Sequence, residues 1–261
     1  MQEISEIISE TASGVVRLAF FKDREQVGNG SVFLSNHLVI TNSHVTRPIG
    51  SFDAIKITFG DQDLHPVNPI RYLPSDFYAT IISESPEAEL DYAILKIDEP
   101  ELKGRFQFDV VPGKDVKVGE QVLFFGFPFG SQHLTSHIGY ISAKFHLEGS
   151  YRLQIDGSIN PGNSGGPLIQ LKSGKAIAIV TQTQTGLEKD FDQLVELIKK
   201  NVEVLGKAKG GVTISGIDPH QATQATMIAL GRIAQNLKRT ANVGIGYAFC
   251  AEHILATGLL G

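Results

Sequence analysis

The sequence predicts a mostly β fold, a barrel or a sandwich, interrupted by an inserted α-helical block. Three observations predict it. Between residues 14 and 182, short β-branched or aromatic runs alternate with Gly, Pro, Asn and Asp. From Leu187 the larger apolar residues recur instead at spacings of three and four, the period of a helix face. At 242–249 the chain returns to strand chemistry in NVGIGYAF. Many short strands joined by turns favour a barrel or sandwich over a parallel sheet.

In chain order, strands are expected at 15–21, 31–34, 38–41, 55–59, 92–97, 121–126, 139–143, 151–155 and 176–181. Phe191, Leu194, Val195, Ile198, Val202 and Leu205 then line one face of a helix that stops at Gly206, before the Gly-rich connector GKAKGGVTISG. A second helix is expected from Pro219 to about residue 241. Asp218 serves as its cap, Pro219 occupies the first helical position, and Gln221 sits where a capping-box partner reaches back. Its larger apolar residues are Ile228, Ile233 and Leu237. The last residues, AEHILATGLLG, fit either a short helix or a strand end with a tail.

The composition bounds the function. With 261 residues, 42% hydrophobic and 20% charged, the chain has enough apolar residues for a packed core, which excludes disorder as its main state. A net charge of −5, with no basic run longer than the pair Lys199 and Lys200, argues against nucleic acid as a partner. The first ten residues, MQEISEIISE, lack the basic start and apolar core of a secretion signal. No stretch reaches 18 uninterrupted apolar residues, so no membrane span is expected. The single Cys250 lies between Phe249 and Ala251 and reads as a packed thiol. Together these features predict a cytoplasmic protein.

The chemistry concentrates in DGSINPGNSGGPL, residues 156–168, where Ser164 sits in a glycine-dense turn. Gly162, Gly165 and Gly166 permit backbone angles closed to other residues and a close approach of substrate. The amides of Gly162 and Ser164 can then converge on a developing oxyanion. A serine hydroxyl needs a base, and the base needs an orienting acid. His44 in VITNSHV and Asp91 in LDYAILKI supply them, with Asp98 the nearest competing carboxylate. The same serine also fits GxSxG, but that motif requires a following helix, whereas LIQLKSGKAIAIV reads as two strands around a turn. His133 and His137 have a zinc-like spacing for a helix, yet their segment reads as strand and separates them, so no metal and no cofactor is expected. His37 and His65 read as loop residues, and Glu188, Lys189, Asp190, Lys199 and Lys200 as a solvated helix face.

GNGSVFLSNHLVITNSHV, LDYAILKI, GFPFG and DGSINPGNSGGPL together resemble the trypsin-like serine proteases, nearest to the HtrA or DegP-type group, over about residues 14–186 and 243–254. The resemblance implies two antiparallel six-stranded-type β-barrels of the chymotrypsin kind at 1–186 and 243–261, with the helical block at 187–242 inserted in the second. It implies His44 as general base, Asp91 as its orienting carboxylate, Ser164 as nucleophile and Gly162, Asn163 and Ser164 as the oxyanion loop. Thr181 matches a small hydroxyl residue near the buried aspartate. Thr181, Gln182 and Thr183 match the strand that binds substrate backbone. Ser158, Ile159 and Gly246 match the primary pocket and carry no acid, which predicts a neutral apolar residue before the cut.

Three departures stand beside this. No internal basic site precedes an Ile-Val-Gly-Gly-type start, so activation by a freed amino terminus is not expected. The group's usual PDZ domain is not expected after residue 254. The block at 187–242 stands where the family has a short loop beside the primary pocket, and it is expected either to dock a regulatory protein partner or to hold the pocket loops inactive until an effector binds. The expected activity is hydrolysis of peptide bonds in protein or peptide substrates. The competing expectation is a catalytically silent protease-like module that binds through its helical insertion.

Overall fold

The computed structural model describes residues 3–48, 50–59, 68–87, 89–147, 149–183, 188–207, 218–240 and 244–260. The chain divides into two compact units, Met1–Thr183 with Gly244–Gly261, and Gln184–Val243.

Among the described residues, the first unit holds thirteen strands in two antiparallel sheets. One contains β1 (Val15–Lys22), β2 (Glu25–Ser35), β3 (Leu38–Thr41), β4 (Ala54–Phe59), β5 (Ile70–Tyr72), β6 (Ile81–Ser85) and β7 (Tyr92–Leu95), in the spatial order β5-β4-β1-β2-β3-β7-β6. The other contains β8 (Gln121–Gly126), β9 (Thr135–Leu147), β10 (Ser150–Asp156), β11 (Pro167–Gln170), β12 (Lys175–Thr183) and β13 (Ile245–Cys250). It closes into a barrel in the order β10-β13-β12-β11-β8-β9. The described residues of this unit also form short α-helices: α1 (Ile4–Thr11), α2 (Ser43–Thr46), α3 (Pro74–Tyr78) and, after β13, α6 (Glu252–Ala256). The second sheet is the expected closed, six-stranded barrel. The first is a curled seven-stranded sheet whose edge strands β5 and β6 each pair with one neighbour, β4 and β7 respectively.

Period-2 alternation explains why the central strands are buried on both faces. In β1, Val16, Leu18 and Phe20 enter the first sheet's own core with Val32, Leu34, Ile55 and Ile57. Val15 faces the other way, into a shared core with Phe33, Ile40 and Ile94 from the first sheet and Leu123, Phe125, Ile169 and Ile179 from the barrel. In β8 the alternation repeats, with Val122 and Phe124 inside the barrel and Leu123 and Phe125 in the shared core. A run of consecutive apolar residues in this chain therefore marks a strand between two cores.

The second unit contains α4 (Glu188–Lys207) and α5 (Pro219–Thr240). Asp218 caps α5, accepting the His220 amide on its side chain at 2.8 Å and the Ala222 amide on its carbonyl at 3.0 Å. Among its described residues Ile198 and Ala234 are the buried apolar ones, and Gln224 Nε2 donates to the Val202 carbonyl at 3.4 Å. Leu194, expected on the helix's apolar face, is exposed, as are Leu197, Val204, Ile228, Ile233 and Leu237. Among the described residues no helix is long and apolar enough to cross a membrane.

Phe33, 1% exposed and edge-on to Phe108 at 5.8 Å, ties the shared core together. Phe33→Ala is expected to lower unfolding stability by about 3–5 kcal/mol in denaturant titration, whereas truncation of the exposed Val118 changes it by less than about 0.5 kcal/mol.

Candidate active site

The site forms where the two sheets of the first unit meet. β3 ends at Thr41, and α2 follows at once, so His44 projects from a single turn anchored on the buried strand. Asp91 immediately precedes β7, in the left-handed backbone region at φ 47°, a conformation that aspartate tolerates better than bulkier residues. The side-chain amide of Asn42 donates to the Asp91 carbonyl at 2.8 Å and fixes that turn.

The Asp91 carboxylate is fully buried and takes three donors. His44 Nδ1 lies 2.8 Å from Oδ2, the His44 amide donates to Oδ1 at 3.1 Å, and Thr181 Oγ1 donates to Oδ2 at 2.9 Å. Burial alone pushes this carboxyl upward. The His44 ring hydrogen bond and charge, the His44 amide and the Thr181 hydroxyl outweigh burial and hold it below the usual carboxylate range. An ionised Asp91 makes His44 Nδ1 the donor, so that in a neutral ring Nε2 is the acceptor nitrogen.

Ser164 lies in the loop between β10 and β11, and its hydroxyl donates to the Thr181 carbonyl. Thr181 therefore touches the nucleophile candidate with its backbone and the buried carboxylate with its side chain. Gly162 and Gly165 have φ of 102° and 88°, where a side chain is strained, whereas Gly166 does not. Glycine at 166 answers a close approach instead, since an added Cβ would stand 2.2 Å from the Phe125 carbonyl oxygen. The amides of Gly162 and Ser164 have no hydrogen-bond partner among the described residues. The Asn163 amide, expected to share the oxyanion loop, donates to the Asn160 carbonyl at 2.9 Å and closes the turn instead.

The remaining sequence candidates separate. Ile159 is buried against Gly246, where an added Cβ would lie 2.2 Å from Ile159 Cδ1, so the two form one apolar wall. Ser158 is exposed. Gln182 and Thr183 continue β12, with Thr183 opposite Gly246, while pairing to β11 ends at Ile179. The side chains of Gln182, Thr183, Glu188, Lys189 and Asp190, and all of His65, lie outside the described residues. Asp98 is exposed and pairs with Lys103 at 3.2 Å. His137 stacks on Phe124 at 4.8 Å, and burial lowers its pKa. Burial raises the Cys250 thiol to about 12, so it is not a thiolate. No group of three or more His, Cys, Asp or Glu able to hold a metal is present among the described residues.

Sequence reasoning missed Asn29, Ser31 and Asn42. Their signal is polar side chains interrupting GNGSVF and ending LVITN, in segments otherwise committed to a core.

Residues 28–179 match the model of the trypsin-like peptidase domain. A probable periplasmic serine endoprotease, DegP-like, from Ectopseudomonas mendocina is 33% identical over 168 residues, covering 63% of this chain and 31% of that protein. A protein of the same name from Rickettsia prowazekii is 29% identical over 209 residues, covering 73% and 37%. The chain thus spans about a third of the length of these relatives. Among solved structures, the HtrA-type protease AlgW with tripeptide superposes at a TM-score of 0.60 and 22% identity, covering 98% of this chain and 62% of that one. A serine endoprotease from Yersinia pestis gives 0.53 and 23%, covering 70% and 59%. The relatives' names correct the expected cytoplasmic setting, since both are called periplasmic. A lone buried thiol was weak evidence, because it forms no internal disulfide in either compartment.

Two outcomes test this geometry. An Ala Cβ at position 162 would stand 2.2 Å from the Phe127 carbonyl oxygen, so Gly162→Ala is expected to lower thermal stability by about 2 kcal/mol or more. Because folding lowers the Asp91 pKa, its stabilisation is complete above the unfolded value of about 3.9 and is lost as pH falls through the folded value. The stability gap between wild type and Asp91→Asn should therefore be constant above about pH 5 and shrink below about pH 4 in pH-dependent denaturation.

Proposed function

The chain belongs to the trypsin-like peptidase family, and on that premise we propose that it is a serine endopeptidase using His44, Asp91 and Ser164. The observation that carries the reading is the buried Asp91 carboxylate, held by His44 on one side and Thr181 on the other, with Ser164 on the Thr181 carbonyl.

In the proposed reaction a peptide lies along 181–183 as an added antiparallel strand, since pairing to β11 has ended there. A substrate N–H takes the Thr181 carbonyl and releases the Ser164 hydroxyl towards His44. Ser164 Oγ then bonds to the scissile carbonyl carbon as His44 Nε2 takes its proton, and the amides of Gly162 and Ser164 receive the negative oxygen. The C–N bond breaks as His44 returns the proton to the amine. Water, deprotonated by His44, hydrolyses the acyl-enzyme, while Asp91 keeps the ring in the working tautomer throughout. The Ile159 and Gly246 wall favours a neutral, small-to-medium apolar side chain before the cut. AlgW has been solved with bound tripeptide and decapeptide, which supports a peptide substrate, and the relatives' names favour a periplasmic site of action.

The proposal extends to the helical unit as a regulatory block docking a protein partner, supported by its exposed Leu197, Val204, Ile233 and Leu237. The alternative, a silent binding module, draws on one observation: the Ser164 hydroxyl donates to Thr181 rather than to His44.

A fluorophosphonate probe separates these readings. It is expected to label folded wild type and neither Ser164→Ala nor His44→Ala, while Asp91→Asn loses about 10⁴ in kcat. An unlabelled, folded wild type would favour the silent module. Removing 188–241 is expected to change turnover of a peptide substrate, and a folded deletion variant with unaltered turnover and partners ends the regulatory reading.

A further inference from the structure

Neighbouring faces of β1 and β2 carry three buried or half-buried polar side chains where Val15 and Phe33 otherwise face the shared core. Arg17 stands opposite Ser31, and Asn29 precedes Ser31 by two residues on the same side of its strand. Each donates to a carbonyl of the second sheet's loops. Arg17 Nη2 reaches the Gly130 carbonyl at 2.9 Å, Asn29 Nδ2 the Phe127 carbonyl at 3.1 Å, and Ser31 Oγ the Gly162 carbonyl at 2.7 Å. Ser31 Oγ also accepts the Phe127 amide at 3.1 Å. The loop they hold returns the contact, because the Phe129 amide donates to the Pro161 carbonyl at 2.7 Å.

These bonds fix the direction of the peptide bond joining Pro161 to Gly162. In a trans peptide the N–H points opposite to the C=O. With the Pro161 oxygen tied to Phe129 on the loop side, the Gly162 N–H points away from that loop and is left without an internal partner among the described residues. Glycine at φ 102° does not by itself choose between this orientation and the flipped one, which would present an oxygen in place of the donor. The choice falls to the partners of the two carbonyls on either side of Gly162.

We infer that Asn29 and Ser31 are positioning residues that hold the 127–130 loop and the Gly162 carbonyl, and thereby aim the Gly162 N–H at the oxyanion position. The inference rests on the peptidase reading for its consequence in turnover. Its structural content is independent of that reading: a donor in one sheet's strand sets the orientation of an amide in the other sheet's loop.

The test is Asn29→Ala/Ser31→Ala in one chain, read in two ways. Turnover of a peptide substrate should lose about 10²-fold or more in kcat, the cost of one misdirected oxyanion donor, with KM within about twofold. In ¹⁵N-labelled protein, the Gly162 amide resonance should shift strongly while resonances of the shared core stay in place. A folded double variant with wild-type kcat, a kcat loss without movement of the Gly162 amide, or a rise in KM alone would overturn the inference. If wild type turns over no substrate, the peptidase reading falls, and the amide shift still decides the positioning role. Should the double variant not fold, Ser31→Ala alone is read by the same resonance: a shifted Gly162 amide supports the positioning role, and an unmoved one overturns it.

Discussion

The buried carboxylate of Asp91 is the constraint on which the arrangement of the site depends. An ionised group with no solvent exposure persists only when donors replace water, and removing one partner of such a charge costs about 3–5 kcal/mol. Its donors come from different places: the ring and amide of His44 after β3, and the hydroxyl of Thr181 on β12 of the barrel. Satisfying one charge therefore requires both sheets to be in register with each other. The His44 ring orientation follows from the charge, and the position of the Ser164 hydroxyl follows from Thr181.

The serine loop is seated by backbone contacts across the same boundary. The Ser31 amide donates to the Ser164 carbonyl at 2.8 Å, while within the barrel the Gly165 amide donates to the Val180 carbonyl at 2.8 Å. At Gly165 an added Cβ would stand 2.0 Å from the Ser31 carbonyl and 2.1 Å from the Thr41 hydroxyl, so this approach admits no side chain. The apolar shared core around Phe33, Phe125 and Ile179 brings the sheets together, and the polar contacts set how they meet. Non-directional burial supplies most of the association, and directional hydrogen bonds select one alignment.

Much of the first unit was legible in the chain. Strands such as β3 and β8 coincide with their expected bounds, because apolar runs bounded by Asn, Gly and Pro leave little freedom in where a strand begins. β5 and β6 were missed: they are short edge strands whose few apolar residues give almost no period to read. In the helical unit the period gave α4 and the cap signals gave α5, but neither told which apolar residues are buried. Ala234 lies inside while the bulkier Ile233 and Leu237 face out, since where helices approach closely a small side chain fits the contact and a large one does not.

The sequence by itself determined the mostly β class, the change to helical period after Leu187, and the candidates His44, Asp91 and Ser164 in that order. Those follow from local chemistry: side-chain periodicity, turn residues, and a serine among glycines. The tertiary structure alone decided that one sheet closes and the other stays open, that the Asn163 amide closes a turn rather than facing an oxyanion, and that Asn29 and Ser31 reach the loops of the opposite sheet. These are relations between segments far apart in the chain, such as Ser31 and Gly162. Hydrogen bonding across a packed boundary depends on register and approach, which no local pattern of residue types encodes.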